Sequence, residues 1–161
     1  MNGAAVDDTL VADLARVAVE RTAPEELPLF RPTSEAFFED PDAVPRRGGR
    51  DELLGFGVEA AVVLVTPVAL SVARDVARFV ADQLRSRLAH EGEGAVQRAL
   101  DRVFKREATP EAPAAASSPE LSDEELERVR AIAFEKAQQL RLPPDRAGLL
   151  ADAIVGGLAT G

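Results

Sequence analysis

The chain contains no cysteine, no tryptophan and no tyrosine, and it has a single histidine. Without cysteine there is no disulfide, no thiolate zinc site and no cysteine nucleophile, a composition that fits a reducing compartment and makes the cytoplasm the expected location. Without tryptophan and tyrosine there is no aromatic belt of the kind that anchors a membrane span, and phenylalanine alone supplies aromatic packing. Lysine occurs only at positions 105 and 136, and the formal net charge is −9 with a pI near 4.7. An acidic surface repels a phosphate backbone, so nucleic acid is not an expected partner. The first residues lack a basic n-region and carry Asp7, Asp8 and Asp13 where a secretory signal needs an unbroken apolar run, so no signal peptide is expected.

Groups that carry chemistry are equally sparse. The histidine, His90, stands beside Glu91 and Gly92 at the expected end of a helix, where a solvated cationic side chain is favoured. Glu35, Glu39, Asp40 and Asp42 lack the spacing of a calcium loop and read as solvated surface, so no metal is expected. Gly48-Gly49 and Gly55-Phe56-Gly57 lack the lysine and spacing of a phosphate loop. No set of residues supplies a nucleophile, its base and an oxyanion or metal partner; no catalytic residue, no cofactor and no enzymatic activity is expected.

What the chain does have is an apolar run, LLGFGVEAAVVLVTPVALSVA, between Glu52 and Arg74, broken by one charge, Glu59, and one proline, Pro67. As one helix, residues 53–73 would rise roughly 31 Å, about the hydrocarbon thickness of a bilayer. Phe56, Glu59, Val63, Leu64 and Val65 are then the candidate membrane-inserted residues, with Glu59 as an intramembrane carboxylate. Arginines at 46, 47 and 50 precede the run and arginines at 74, 78, 85 and 87 follow it, so positive charge gives no orientation. Downstream of Pro67, Val68, Val72, Val76, Phe79, Val80, Leu84 and Leu88 recur at spacings of three and four, with Arg74, Asp75, Arg78, Asp82 and Arg85 opposite. That is an amphipathic helix with one wet face, which favours a soluble body over a uniform span. Either one helix from about 51 to 89 kinks at Pro67, or Thr66 caps a new helix with Pro67 as its first residue, where proline is tolerated. Residues 53–65 are apolar nearly all round and β-branched at 62, 63 and 65, so a short buried strand is a further reading there.

The remaining segments are read the same way. Leu10, Leu14 and Val17 form one stripe, predicting a helix over 8–22 capped by Asp8 or Thr9. Prolines at 24, 28, 32, 41 and 45 predict an irregular segment over 23–49, anchored by Leu27, Leu29, Phe30, Phe37 and Phe38. Leu29, Phe30, Phe37 and Phe38 are candidate partner contacts if exposed, and core if folded back. Val96, Ala99, Leu100, Val103 and Phe104 mark another amphipathic helix. Residues 108–120 are rich in alanine, proline and serine and read as a linker. Ser122 with Glu125 three residues on is a capping box. Leu126, Val129, Ala133, Ala137 and Leu140 continue the helix, Pro143-Pro144 punctuates it, and Ala147, Leu150, Ile154 and Leu158 mark a second one.

These readings predict an all-α protein. It comprises a small helical bundle body over 1–107 with a proline-rich irregular N-terminal segment, a flexible linker over 108–120 and a C-terminal helical hairpin over 121–161. A hairpin of this size rarely folds alone without disulfide or metal, so its apolar stripe needs another surface. The expected function is therefore a non-enzymatic interaction or adaptor protein, docking a protein partner or a second copy of itself through Leu126, Val129, Ala133, Leu140, Leu150, Ile154 and Leu158. The alternative is a membrane-associated protein inserting residues 53–73.

Overall fold

The computed structural model describes residues 6–41, 64–105 and 120–159, and among these every regular element is a helix. The protein is all-α, as the hydrophobic periodicity predicts. Helix α1 spans Asp8–Thr22; its N-cap is Asp7, one residue earlier than expected, whose side chain accepts a 2.9 Å hydrogen bond from the Thr9 N–H. A single 3₁₀ turn, Pro24–Glu26, leads into α2, Leu27–Glu39.

Helix α2 corrects the expectation of an irregular segment between 27 and 39. Pro28 falls in the first turn, where its missing N–H has no helical partner to lose. Pro32 is inside the helix and does forfeit one bond, a cost of up to about 3 kcal/mol. Burial offsets it: Phe30 and Phe37 are 9% and 1% exposed, and Leu27 and Phe38 pack on the core beside them. Positions 27, 30, 34 and 37 are one helical stripe, and packing on that stripe overrides the proline signal.

Helix α3, Val65–Arg87, is the longest described element. Leu64, its N-cap, has extended backbone (φ −65°, ψ 133°), so no single helix runs from 51 to 89. The helix starts two residues earlier than a Thr66 cap implies, which places Pro67 third, still inside the first turn where no bond is lost. Val65 is helical, so a strand does not extend to it; residues 53–63 lie outside the described residues. A turn through Gly92, whose φ of 84° suits a residue without Cβ, connects α3 to α4, Glu93–Lys105.

Helix α5, Asp123–Gln139, opens on the expected capping box. The Ser122 N–H donates to Glu125 at 2.7 Å and the Glu125 N–H donates to the Ser122 hydroxyl at 3.3 Å. It closes on a Schellman-type turn: the Leu142 N–H reaches the Ala137 carbonyl (3.0 Å) and the Arg141 N–H the Gln138 carbonyl (2.9 Å). Arg141 occupies the left-handed position (φ 65°) that glycine usually takes, and Leu142 behind it is buried. Helix α6, Pro144–Ala159, then runs back along α5.

One apolar cluster draws on all six helices. Helix α3 touches α1, α2, α4 and α5, while α1 touches α2, α3, α4 and α6. Between 65 and 73 α3 is buried nearly all round, as an all-apolar helical stretch must be. Ala69, Ala73, Ala77 and Ala81 form an i,i+4 row of buried small side chains along it, a row of small side chains that permits close approach of neighbouring helices. The α1–α6 seam uses the same device: a Cβ added at Gly157 would sit 3.4 Å from the Leu14 side chain.

Candidate functional site

The structure divides the residues expected to bind a partner. Val129, Ala133, Leu150 and Ile154 are 0% exposed and Leu158 is 6% exposed, all within the common cluster. Their stripe is covered by this chain's own helices, because α5 packs on α3 and α6 packs on α1. Leu126 and Leu140 are half-buried at its edge. Two ion pairs reinforce the seat of the hairpin: Lys136 Nζ meets Asp75 at 3.0 Å, and Arg87 engages Glu125 while also donating to the Glu120 carbonyl at 3.4 Å. Partial burial pushes the Glu125 carboxyl up, but the Ser122 N–H and the Arg87 guanidinium outweigh it and hold the group below its ordinary value.

On the opposite, outward side of the hairpin, Leu126 and Val155 line an open depression between α5 and α6, rimmed by Asp123, Glu127 and Arg130. Arg130 Nε donates to Asp152 at 2.6 Å across the two helices, both side chains being more than half exposed. Asp152 also pushes the Arg130 guanidinium up from its ordinary value. Val155, Arg130 and Asp152 were not signalled by the sequence. Val155 falls off the principal stripe of α6, and an ion pair between residues 22 apart leaves no local pattern.

The other candidates are placed as follows. Phe37 and Phe30 are core, Phe38 is half-buried with its ring edge-to-face on Phe37 at 5.5 Å, and Leu29 is 58% exposed. Of the membrane candidates, Val65 is 1% exposed within the helical packing and Leu64 is 49% exposed on an extended residue. Phe56, Glu59 and Val63 lie outside the described residues. From Val65 to Ala73 the apolar run is thus packed within the protein, with Leu64 exposed just before it, and among the described residues no helix is long and apolar enough to cross a membrane. His90 is exposed in the turn after α3; Glu35, Glu39 and Asp40 are exposed, and Asp42 is outside the described residues. Among the described residues no group of three His, Asp or Glu side chains is placed to hold a metal.

One buried polar site went unforeseen. Glu26, 9% exposed on the 3₁₀ turn, points its carboxylate at the start of α3. It accepts from the Val65 N–H (2.8 Å), the Thr66 N–H (2.7 Å) and the Thr66 hydroxyl (2.7 Å). A carboxylate at a helix N-terminus satisfies donors that the helix leaves unpaired and meets the positive end of its dipole. This accounts for a helix whose own N-cap is leucine. The arrangement is a helix cap supplied from 39 residues away.

No protein-family model, no curated protein and no solved structure matches the chain.

Proposed function

We propose that the protein is a non-enzymatic, cytoplasmic helical interaction module that docks a protein partner through the outward seam of its C-terminal hairpin. The observation that carries this reading is the open depression floored by Leu126 and Val155, side chains that pack on the core on one side and meet solvent on the other. The inner stripe serves the chain's own fold, and Leu126 and Val155 are the partly buried apolar side chains that line the depression between α5 and α6. A third helix laid along two antiparallel ones buries its side chains between them by ridges-into-grooves packing.

Photo-crosslinking in cells tests the reading. A benzophenone side chain installed at Leu126 or at Val155 is expected to yield a discrete adduct that is missing when the same group stands at Glu39, exposed on α2. An adduct of twice the chain's mass identifies a second copy as the partner. Silence at both seam positions, or the same adducts from position 39, overturns the proposal. Cell fractionation addresses membrane association through residues 53–63: the full chain is expected in the soluble fraction, and a carbonate-resistant membrane fraction would reverse that.

A further inference from the structure

We infer that α2 is a labile strap, which undocks from α1 and α3 as one unit about a hinge at Leu27 while the rest of the bundle stays closed. Three of its thirteen residues are buried, Phe30, Ser34 and Phe37, against thirteen of twenty-three on α3. Pro32 has no N–H to give to the Pro28 carbonyl one turn back, so α2 also lacks an internal bond. Polar ties do not make up the difference. Arg31 pairs with Glu35 and the Ser34 hydroxyl donates to the Arg31 carbonyl, both within α2. Among the described residues no side chain of 27–39 makes a hydrogen bond or ion pair with another helix. Helix α5 also buries three residues, but the Lys136–Asp75 and Arg87–Glu125 pairs fasten it to α3. A helix held by two aromatic side chains, with an internal proline and no polar fastening, opens at a lower free energy than the core on which it rests.

The position of the hinge follows from Glu26. Its N–H donates to the Ala23 carbonyl at 2.9 Å, and the N–H of Ala23, itself 0% exposed, donates to the Val19 carbonyl at 2.8 Å. Its carboxylate holds the Val65 and Thr66 N–H groups. The 3₁₀ turn is thus tied to α1 behind it and to α3 beside it, and the first residue able to swing is Leu27, half-buried at the start of α2. Phe30 and Phe37 lie on one stripe and withdraw together. Their withdrawal bares the apolar seat that they fill against α1 and α3, which the closed helix keeps from solvent.

Because the chain has no cysteine, one introduced thiol is a clean reporter. Ser34 on α2 and Ser71 on α3 are each 8% exposed, so a static fold predicts equal reactivity for Ser34→Cys and Ser71→Cys. With α2 a strap, iodoacetamide modifies the full-length Ser34→Cys chain at least about a hundredfold faster than the Ser71→Cys chain. The rate at position 34 also rises less steeply with urea, since a local opening exposes less surface than global unfolding. Pro32 is exposed, and adding Pro32→Ala returns the missing bond; modification at 34 should then slow by about tenfold or more. Val129→Ala, which loosens α5 in the core, should speed position 71 by about tenfold and leave position 34 within about twofold. Equal rates at 34 and 71 overturn the inference, as does a rate at 34 that Pro32→Ala leaves unchanged or that Val129→Ala raises as much as it raises 71. Hydrogen exchange on the unsubstituted chain tests the same point without a thiol. Amides of 34–39 are expected to exchange as a group at least about a hundredfold faster than the buried amides of α3, and matched protection in the two helices refutes the strap.

Discussion

The carboxylate of Glu26 joins two parts of the chain that share no sequence pattern. Its three accepted hydrogen bonds fix the start of α3 against the 3₁₀ turn after α1, in a place where the donors have no water to fall back on. Replacing Glu26 by alanine leaves those donors buried and unpaired and is expected to lower the unfolding free energy by about 2–4 kcal/mol. Glutamine keeps one acceptor oxygen but turns an NH₂ donor toward another donor, so Glu26→Gln should cost about 1–2 kcal/mol. Urea denaturation followed by circular dichroism measures both; a change under about 0.5 kcal/mol in the alanine variant would show that the cap is not needed. Glu125 makes a prediction about pH. Its carboxyl titrates below the ordinary 4.5 in the folded protein, so its contribution is complete above that value and is lost as pH falls through the lower folded one. The variant Glu125→Gln should therefore be less stable than the parent by about 0.5–1.5 kcal/mol at neutral pH. That gap closes as pH is lowered from about 5 toward about 3, and a gap that widened on acidification would contradict the assignment.

Among the elements, those with a local signal were legible in the sequence and those held by distant contacts were not. The capping box at Ser122 and Glu125 needs only residues within one turn of each other, and it forms as its spacing predicts. The amphipathic half of α3 and the stripes of α5 and α6 follow from 3.6-residue periodicity in the same way. Helix α2 was concealed because its prolines speak against a helix locally, while the burial of Phe30 and Phe37 that pulls it into one is a tertiary effect. Neither a start near residue 51 nor a Thr66 cap matches the start of α3 at Val65, for a related reason: the cap comes from Glu26, which nothing near Thr66 announces. At the end of α5 the structure departs from the usual residue choice, since Arg141 holds a positive φ that suits glycine. Relief of that strain predicts that Arg141→Gly raises the unfolding free energy by about 0.5–1 kcal/mol, visible as a higher melting temperature. No increase would mean that the arginine side chain makes up for its backbone.

At the scale of the whole molecule, the sequence correctly showed that the hairpin stripe must be covered, but not by what. Val129, Ala133, Leu150 and Ile154 carry no mark that distinguishes an intramolecular neighbour from a foreign one, because apolar burial is non-directional. The covering surface proves to be α1 and α3 of the same chain. The hairpin is consequently part of the core, and its removal has a different consequence from the loss of a tethered appendage. A chain ending at residue 107 would leave the faces of α1 and α3 that now lie against α5 and α6 open to water, an apolar area too large for a stable monomer. Such a fragment is expected to bind a hydrophobic dye, lose its cooperative thermal transition and aggregate. Co-expression with a second fragment, residues 120–161, should restore a soluble one-to-one complex with the parent's helical content, since the contacts themselves do not depend on the connecting chain. A fragment 1–107 that unfolds cooperatively on its own, with no dye binding, would show that the body is autonomous and that α5 and α6 merely rest on it.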